Sequence, residues 1–144
     1  MECTYCGDRA ETLDHVVPFC SERPQKRRTY PKNKVVPCCQ ECNTLLGAKY
    51  LITIGERALF LAKKLKTRYE KVLLSPEWEP EELEELGYTL RPAIEKALII
   101  KREVEIRVLH CQKVALEGPS IKDIWKDAKN DALEGVARVS SGLL

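Results

Sequence analysis

The chain has 144 residues, of which 44% are hydrophobic and 32% are charged, a balance typical of a globular protein with one modest domain. Its apolar runs fall far short of the roughly 20 residues that span a bilayer, and no basic segment leads into an apolar one near the start. We therefore expect no membrane helix, no secretion signal and a cytoplasmic location. The net charge of +2 is unevenly divided, since residues 1–75 carry 14 basic and 8 acidic side chains, and residues 76–144 carry 10 and 14. This division predicts that a polyanionic partner meets the first half.

The first half of the chain contains two Cys-x-x-Cys pairs, Cys3 with Cys6 and Cys39 with Cys42. The chain has seven cysteines, an odd number that argues against a disulfide framework in a protein without an export signal. Each pair can direct two thiolates to one tetrahedral Zn²⁺, and four sulfurs leave no open coordination position. We therefore predict a structural zinc. Cys38 is the alternative partner of Cys42, although the two-residue gap favours Cys39.

Two valine-rich segments lie between the cysteine pairs, at residues 11–19 and 33–38. They predict a short antiparallel strand pair with prolines at an edge or end. The loop between them, residues 21–32, contains two prolines and is expected to be exposed. A short helix is predicted over residues 42–51, with Gly47 either tolerated within it or ending it.

A longer helix is predicted over residues 53–74. Thr53 followed by Glu56 has the spacing of a capping box. Apolar residues recur behind it at helical spacing, at Ala58, Leu61, Ala62, Leu65, Tyr69 and Val72. We therefore expect one uninterrupted amphipathic helix.

Three further helices are predicted towards the end of the chain. Residues 77–85 contain six glutamates and form a short acidic helix that Gly87 ends. Residues 89–118 form a long helix, although Val104, Ile106 and Val108 also alternate with period two and leave a strand as the minority interpretation. Residues 120–135 begin with a Ser-x-x-Asp cap and are also expected to be helical.

In this order, the segments "CTYC", "DHVVP", "NKVVPCCQECN" and "LLG" resemble the HNH endonucleases, in particular small phage-type members of the His-Asn-Asn variant. The resemblance covers residues 3–47, about one third of the chain. It implies an α+β fold that is mostly α, with a zinc-bound, treble-clef-like ββα-metal core over residues 1–50. An α-helical extension over residues 51–144 would pack on this core or mediate assembly.

The resemblance also implies a metal-dependent endonuclease that hydrolyses phosphodiester bonds in DNA. His15 would be the general base, because an imidazole is largely neutral at cellular pH. Asp14 and Asn43 would hold Mg²⁺ or Mn²⁺ through their oxygen atoms. Asn33 corresponds to the middle asparagine of the motif, which braces the loop that carries the histidine.

The loop after the first strand is the predicted nucleic-acid contact. It combines basic residues with one aromatic residue that could stack on a base: Arg23, Lys26, Arg27, Arg28, Tyr30, Lys32 and Lys34. Such a loop would contact phosphates with little sequence preference.

The alternative to nucleic-acid contact is that the basic loop is only a charged, solvent-exposed surface. Two rival functions also stay open, a non-catalytic zinc-containing module that binds nucleic acid and an adaptor of a DNA-processing complex. The apolar face of the helix within residues 92–117 could bury against the helix of residues 53–74 or against a second subunit in a homodimer.

Overall fold

The computed structural model describes residues 1–16 and 35–118, and these are mostly helical with one two-stranded antiparallel sheet. The elements are β1 (Thr12–His15), β2 (Val35–Cys38), α1 (Gln40–Leu46), α2 (Ile54–Arg68), α3 (Glu70–Leu73), α4 (Pro80–Glu84) and α5 (Leu90–Glu117). This composition confirms the predicted α+β class in its coarse form. The predictions for the loop of residues 21–32 and for the helix of residues 120–135 lie outside the described residues.

The two strands pair with Thr12 opposite Cys38 and His15 opposite Val35. Because successive side chains of a strand point to opposite faces, Leu13 and His15 share one face of β1, and Thr12 and Asp14 share the other. Leu13 is exposed and Asp14 is buried. The first strand therefore directs its aspartate to the interior and its histidine to the other face.

Helix α1 follows β2 almost at once, because Cys39 acts as its N-cap. The Cys39 sulfur accepts a hydrogen bond from the Cys42 N–H at 3.4 Å. Gly47 ends the helix with a φ of 50°, a conformation that favours glycine. The helix thus begins two residues earlier than predicted, and Gly47 terminates it rather than being tolerated within it.

Helix α2 begins as predicted, since the Thr53 hydroxyl accepts the Glu56 N–H at 3.0 Å. The expected single helix over residues 53–74 is nevertheless wrong, because the chain breaks at Tyr69, where φ is −105° and ψ is 19°. The Tyr69 hydroxyl donates to Glu41 Oε1 at 2.8 Å. Local helical spacing does not reveal this contact with α1, which accompanies the break.

Helix α5 is continuous through residues 104–108, so the alternative strand there is wrong. One face of α5 packs along α2. Buried side chains of both helices and of the N-terminal cysteine region together form one hydrophobic cluster. The apolar face of α5 therefore packs against α2, as one of the two alternatives expected, and contact with a second subunit stays a prediction. None of the helices in residues 1–16 and 35–118 has the length and hydropathy needed to cross a bilayer.

Candidate metal centre and the site beside it

The four cysteines of the two Cys-x-x-Cys pairs come together in space. The sulfur atoms of Cys3, Cys6, Cys39 and Cys42 all lie within 4.8 Å of one another, and all four residues are buried. The Cys6 and Cys39 sulfurs are 3.7 Å apart. A tetrahedral site with Zn–S bonds of about 2.3 Å has sulfur atoms about 3.8 Å apart. This group therefore fits a tetrahedral metal ion such as zinc.

Two further buried cysteines lie outside the group of four. Cys38 is at the end of β2, and its thiol donates to the Cys39 carbonyl oxygen at 3.4 Å. Cys111 is on α5, where burial raises the pKa of its thiol to about 12. Cys111 is not in the group of four sulfurs and belongs to the hydrophobic core cluster, so it acts as a core residue. Of the two alternatives for the partner of Cys42, the structure brings Cys39 into the group.

The first cysteine pair is held in a tight turn that closes on α5. The Gly7 N–H donates to the Cys3 carbonyl at 3.0 Å, and Gly7 has a φ of 76°. The His110 ring lies against Gly7, and its Nδ1 is 3.0 Å from the Tyr5 carbonyl oxygen. His110 therefore supports the turn.

Arg107 contacts the outside of the metal centre from α5. Its Nη1 donates to Glu41 Oε2 at 2.7 Å, and its Nη2 lies 3.9 Å from the Cys39 sulfur. Burial raises the pKa of Glu41, but the hydrogen bonds from Arg107 and Tyr69 and the nearby positive charges have the larger combined effect and lower it below the ordinary value. Glu41 is therefore ionised at neutral pH and joins α1 to α5 and to the residues after α2.

Asp14 is buried in an ion pair with Arg57 of α2. Arg57 Nη2 donates to Oδ1 at 2.7 Å, Arg57 Nε donates to Oδ2 at 2.9 Å, and the Tyr5 hydroxyl donates to Oδ2 at 2.5 Å. Asp14 is 5% exposed and Arg57 is not exposed at all. Both carboxylate oxygens thus have donors, and a full positive charge already lies beside them.

This arrangement does not fit the predicted role of Asp14 as a ligand of the catalytic cation. A Mg²⁺ or Mn²⁺ ion at the carboxylate would lie next to the Arg57 guanidinium, and two like charges at that distance in a buried site repel strongly. Arg57 would have to release Asp14 before such an ion could bind. The remaining Arg57 donors go to the Val16 and Leu51 carbonyl oxygens, each at 3.0 Å, so release would also loosen the end of β1.

The surroundings of Tyr5 also change the pKa of its phenol. Burial raises the pKa of Tyr5, and the hydrogen bond to Asp14 raises it further. The phenol is therefore neutral throughout the physiological range. It donates to Asp14 and accepts the Arg57 Nε–H at 3.2 Å. Tyr5 lies in the first cysteine turn, Arg57 is on α2 and Asp14 is on β1. The hydrogen bonds from Tyr5 and Arg57 to the Asp14 carboxylate therefore hold these three segments together.

Of the other predicted site residues, the structure describes His15 and Asn43. His15 is half-buried at the last pair of the β1–β2 ladder. Asn43 is on α1, and its Nδ2 donates to Thr12 Oγ1 at 3.3 Å, so its amide lies on the α1 side of β1. Asn33 and the predicted nucleic-acid contacts fall outside the described residues: Arg23, Lys26, Arg27, Arg28, Tyr30, Lys32 and Lys34.

Sequence reasoning missed Arg57 and Arg107, although each had a recognisable signal. Arg57 lies four residues before Leu61 on α2, and Arg107 lies four residues before Cys111 on α5. Both arginines therefore stand on the apolar stripe of their helix. A charge on such a stripe is buried when the helix docks and needs a partner of opposite charge.

Comparison with protein-family models, with curated proteins and with solved structures gave no significant match. The functional conclusion therefore depends on the residues and on their geometry.

Proposed function

We propose that this protein is a metal-dependent endonuclease that hydrolyses phosphodiester bonds in DNA. The observation that supports the proposal is the position of the cysteine group, which ties residues 3–6 to the start of α1. Strands β1 and β2 lie between these two points, and β1 carries Asp14 and His15. Two strands and a helix joined by four cysteines are what the resemblance to HNH endonucleases implies.

In this proposal His15 is the general base. Its imidazole accepts a proton from a water molecule, which then attacks the phosphorus atom as the bond to the 3′ oxygen breaks. A divalent cation, when bound, would stabilise the negative charge that develops on the phosphate and on the departing oxygen. Asn43 offers an amide oxygen for that ion, since its Nδ2 is directed to Thr12. The basic loop would hold the DNA backbone through its phosphates.

The Asp14–Arg57 pair places a condition on the proposal. Asp14 can contribute an oxygen to the cation only after Arg57 has left it, so cation binding and the docking of α2 on β1 would compete.

The first half of the chain, with its excess of basic residues, is where a polyanion would approach.

A plasmid cleavage assay tests the proposal. Zinc-loaded protein is incubated with supercoiled plasmid and with Mg²⁺ or Mn²⁺, and the nicked and linear products are quantified. We expect His15→Ala to abolish cleavage and Leu13→Ala, an exposed change on the same face of β1, to preserve it. Asn43→Ala should reduce cleavage at limiting cation, whereas Thr44→Ala, the exposed neighbour on α1, should not. Equal cleavage by the wild type and His15→Ala would eliminate the catalytic assignment.

The Asp14–Arg57 pair also favours a second candidate function, a zinc-containing module that binds nucleic acid without cleaving it. In that case Arg57 is a permanent partner of Asp14, and the fold serves to present the basic loop. Fluorescence anisotropy with labelled DNA and RNA separates the two candidates. Salt-dependent binding without cleavage in either cation, by protein with its full zinc content, would favour the module.

A further inference from the structure

The metal centre carries an electrostatic problem that its own ligands do not solve. Four thiolates around one Zn²⁺ leave a net charge of −2. All four cysteines are buried, with exposed fractions of 5% or less. A buried net charge is costly unless opposite charges or hydrogen-bond donors lie close to it.

Arg107 is placed to compensate this charge. Its side chain is 13% exposed, and its Nη2 faces the Cys39 sulfur at 3.9 Å, within the range of a long N–H···S hydrogen bond. Cys39 already accepts the Cys42 N–H, so Arg107 is a second donor to the same sulfur. A guanidinium in this position lowers the negative charge on the ligand and orients it towards the ion.

The same guanidinium binds both cysteine turns through acidic side chains. Glu41 lies between Cys39 and Cys42 in the second pair and accepts Arg107 Nη1 at 2.7 Å. Asp8 lies two residues after Cys6, and its Oδ2 is 3.7 Å from Arg107 Nε. Arg107 Nε is buried and makes no hydrogen bond among the described residues. One side chain of α5 thus clamps the two halves of the metal centre from outside.

We propose that Arg107 is a positioning residue of the metal centre, which raises its affinity for zinc by compensating thiolate charge and by clamping the two Cys-x-x-Cys turns together. The inference rests on zinc binding by the cysteine group and is independent of nuclease activity. A lysine at this position would keep the charge but lose the fork that reaches Cys39 and Glu41 at once. Because Arg107 is on α5, this role links zinc affinity to the docking of α5.

The test compares Arg107→Ala and Arg107→Lys with Arg102→Ala, an exposed arginine on the same helix. Zinc affinity is measured by competition with a chromophoric chelator. We expect Arg107→Ala to weaken zinc binding by about 10- to 100-fold, Arg107→Lys to weaken it by less, and Arg102→Ala to leave it unchanged.

Cobalt substitution adds a readout that a general loss of stability would not move. Removal of an N–H donor from a thiolate raises the energy of its electrons, so the sulfur-to-cobalt charge-transfer band should shift to longer wavelength in Arg107→Lys and Arg107→Ala. The Arg107→Lys variant keeps the test available if Arg107→Ala does not fold. Wild-type affinity together with an unshifted band in a folded Arg107 variant would overturn the proposal. An equal loss of affinity in Arg102→Ala would overturn it as well.

Discussion

The Arg57 guanidinium binds the Asp14 carboxylate through two hydrogen bonds, of 2.7 Å from Nη2 to Oδ1 and 2.9 Å from Nε to Oδ2. The two residues are 43 positions apart, and both are buried. Because Asp14 is on β1 and Arg57 is in the first turns of α2, the pair fastens the strand that carries His15 to the helices. It also sets the choice between the two candidate functions, since a cation at Asp14 has to displace a guanidinium.

Removal of one partner of this pair should be strongly destabilising. We expect Asp14→Ala to lower the free energy of unfolding by about 3–5 kcal/mol, because Arg57 would keep a buried charge without its counter-ion. Asp14→Ala combined with Arg57→Met should recover part of that loss. Urea unfolding with excess zinc measures both changes. The control is Glu95→Ala, which breaks the exposed Arg91–Glu95 pair and should hardly move the midpoint. An Asp14→Ala protein as stable as the control would show that the ion pair contributes little.

Alkaline pH should destabilise the protein through Tyr5. Burial and then the hydrogen bond to Asp14 raise the pKa of Tyr5 in the folded state, whereas an unfolded tyrosine ionises near pH 10. The stabilisation is therefore complete below about pH 10. Above it the unfolded state alone loses the proton, and stability falls by up to about 1.4 kcal/mol per pH unit.

Unfolding experiments at several alkaline pH values measure this slope. Tyr5→Phe has no phenol to ionise, so its stability should depend less steeply on pH than that of the wild type. Tyr88→Phe is the matched control, because Tyr88 is fully exposed and its removal should leave the slope unchanged. Identical slopes for Tyr5→Phe and the wild type would contradict the assignment.

The choice between the two neighbouring cysteines can be tested by zinc content. Cys39→Ser should lose tight zinc binding and unfold the N-terminal module, because a serine hydroxyl is a much poorer zinc ligand than a thiolate. Cys38→Ser should keep stoichiometric zinc, since its hydroxyl can replace the thiol as donor to the Cys39 carbonyl. Elemental analysis and circular dichroism are the measurements. The reverse result, full zinc in Cys39→Ser and none in Cys38→Ser, would exchange the two assignments.

Gly7 should tolerate no side chain. An alanine there would take a φ of 76°, and its Cβ would lie 2.9 Å from the His110 ring. We expect Gly7→Ala to lower the free energy of unfolding by about 1–3 kcal/mol, from backbone strain and from the clash.

Thermal unfolding with excess zinc measures the Gly7 effect. Gly87→Ala is the control, since Gly87 has open space around it and should tolerate the change. Gly7→Ala with His110→Ala should recover the steric part of the loss but not the part due to φ. A Gly7→Ala protein that melts with the wild type would show that the turn adjusts freely.

Features that depend on short spacings were predictable from the sequence. The two Cys-x-x-Cys pairs identified the four sulfurs that the structure brings together, and Thr53 with Glu56 identified the start of α2. The order of two strands and a helix followed from valine-rich segments and from the second cysteine pair. The helix cap joins residues only three positions apart. The four cysteines can be grouped from the sequence because each pair has the spacing of metal ligands.

Other features depended on which distant residue lies opposite. The break at Tyr69 accompanies a hydrogen bond to Glu41, which lies 28 residues earlier. The partners of Arg57 and Arg107 are 43 and 66 residues away. A charged residue on an apolar stripe signals that a partner is needed, but its own segment does not specify the partner.

The sequence by itself determined which four cysteines could hold a metal ion and most of the helices, because cysteine spacing, capping and hydrophobic periodicity are local properties of the chain. Only the tertiary structure decided that Asp14 is paired with Arg57 and that Arg107 binds both cysteine turns. The physical reason is that the energy of a buried charge depends on what surrounds it after the helices have docked, and that environment does not exist until the chain has folded.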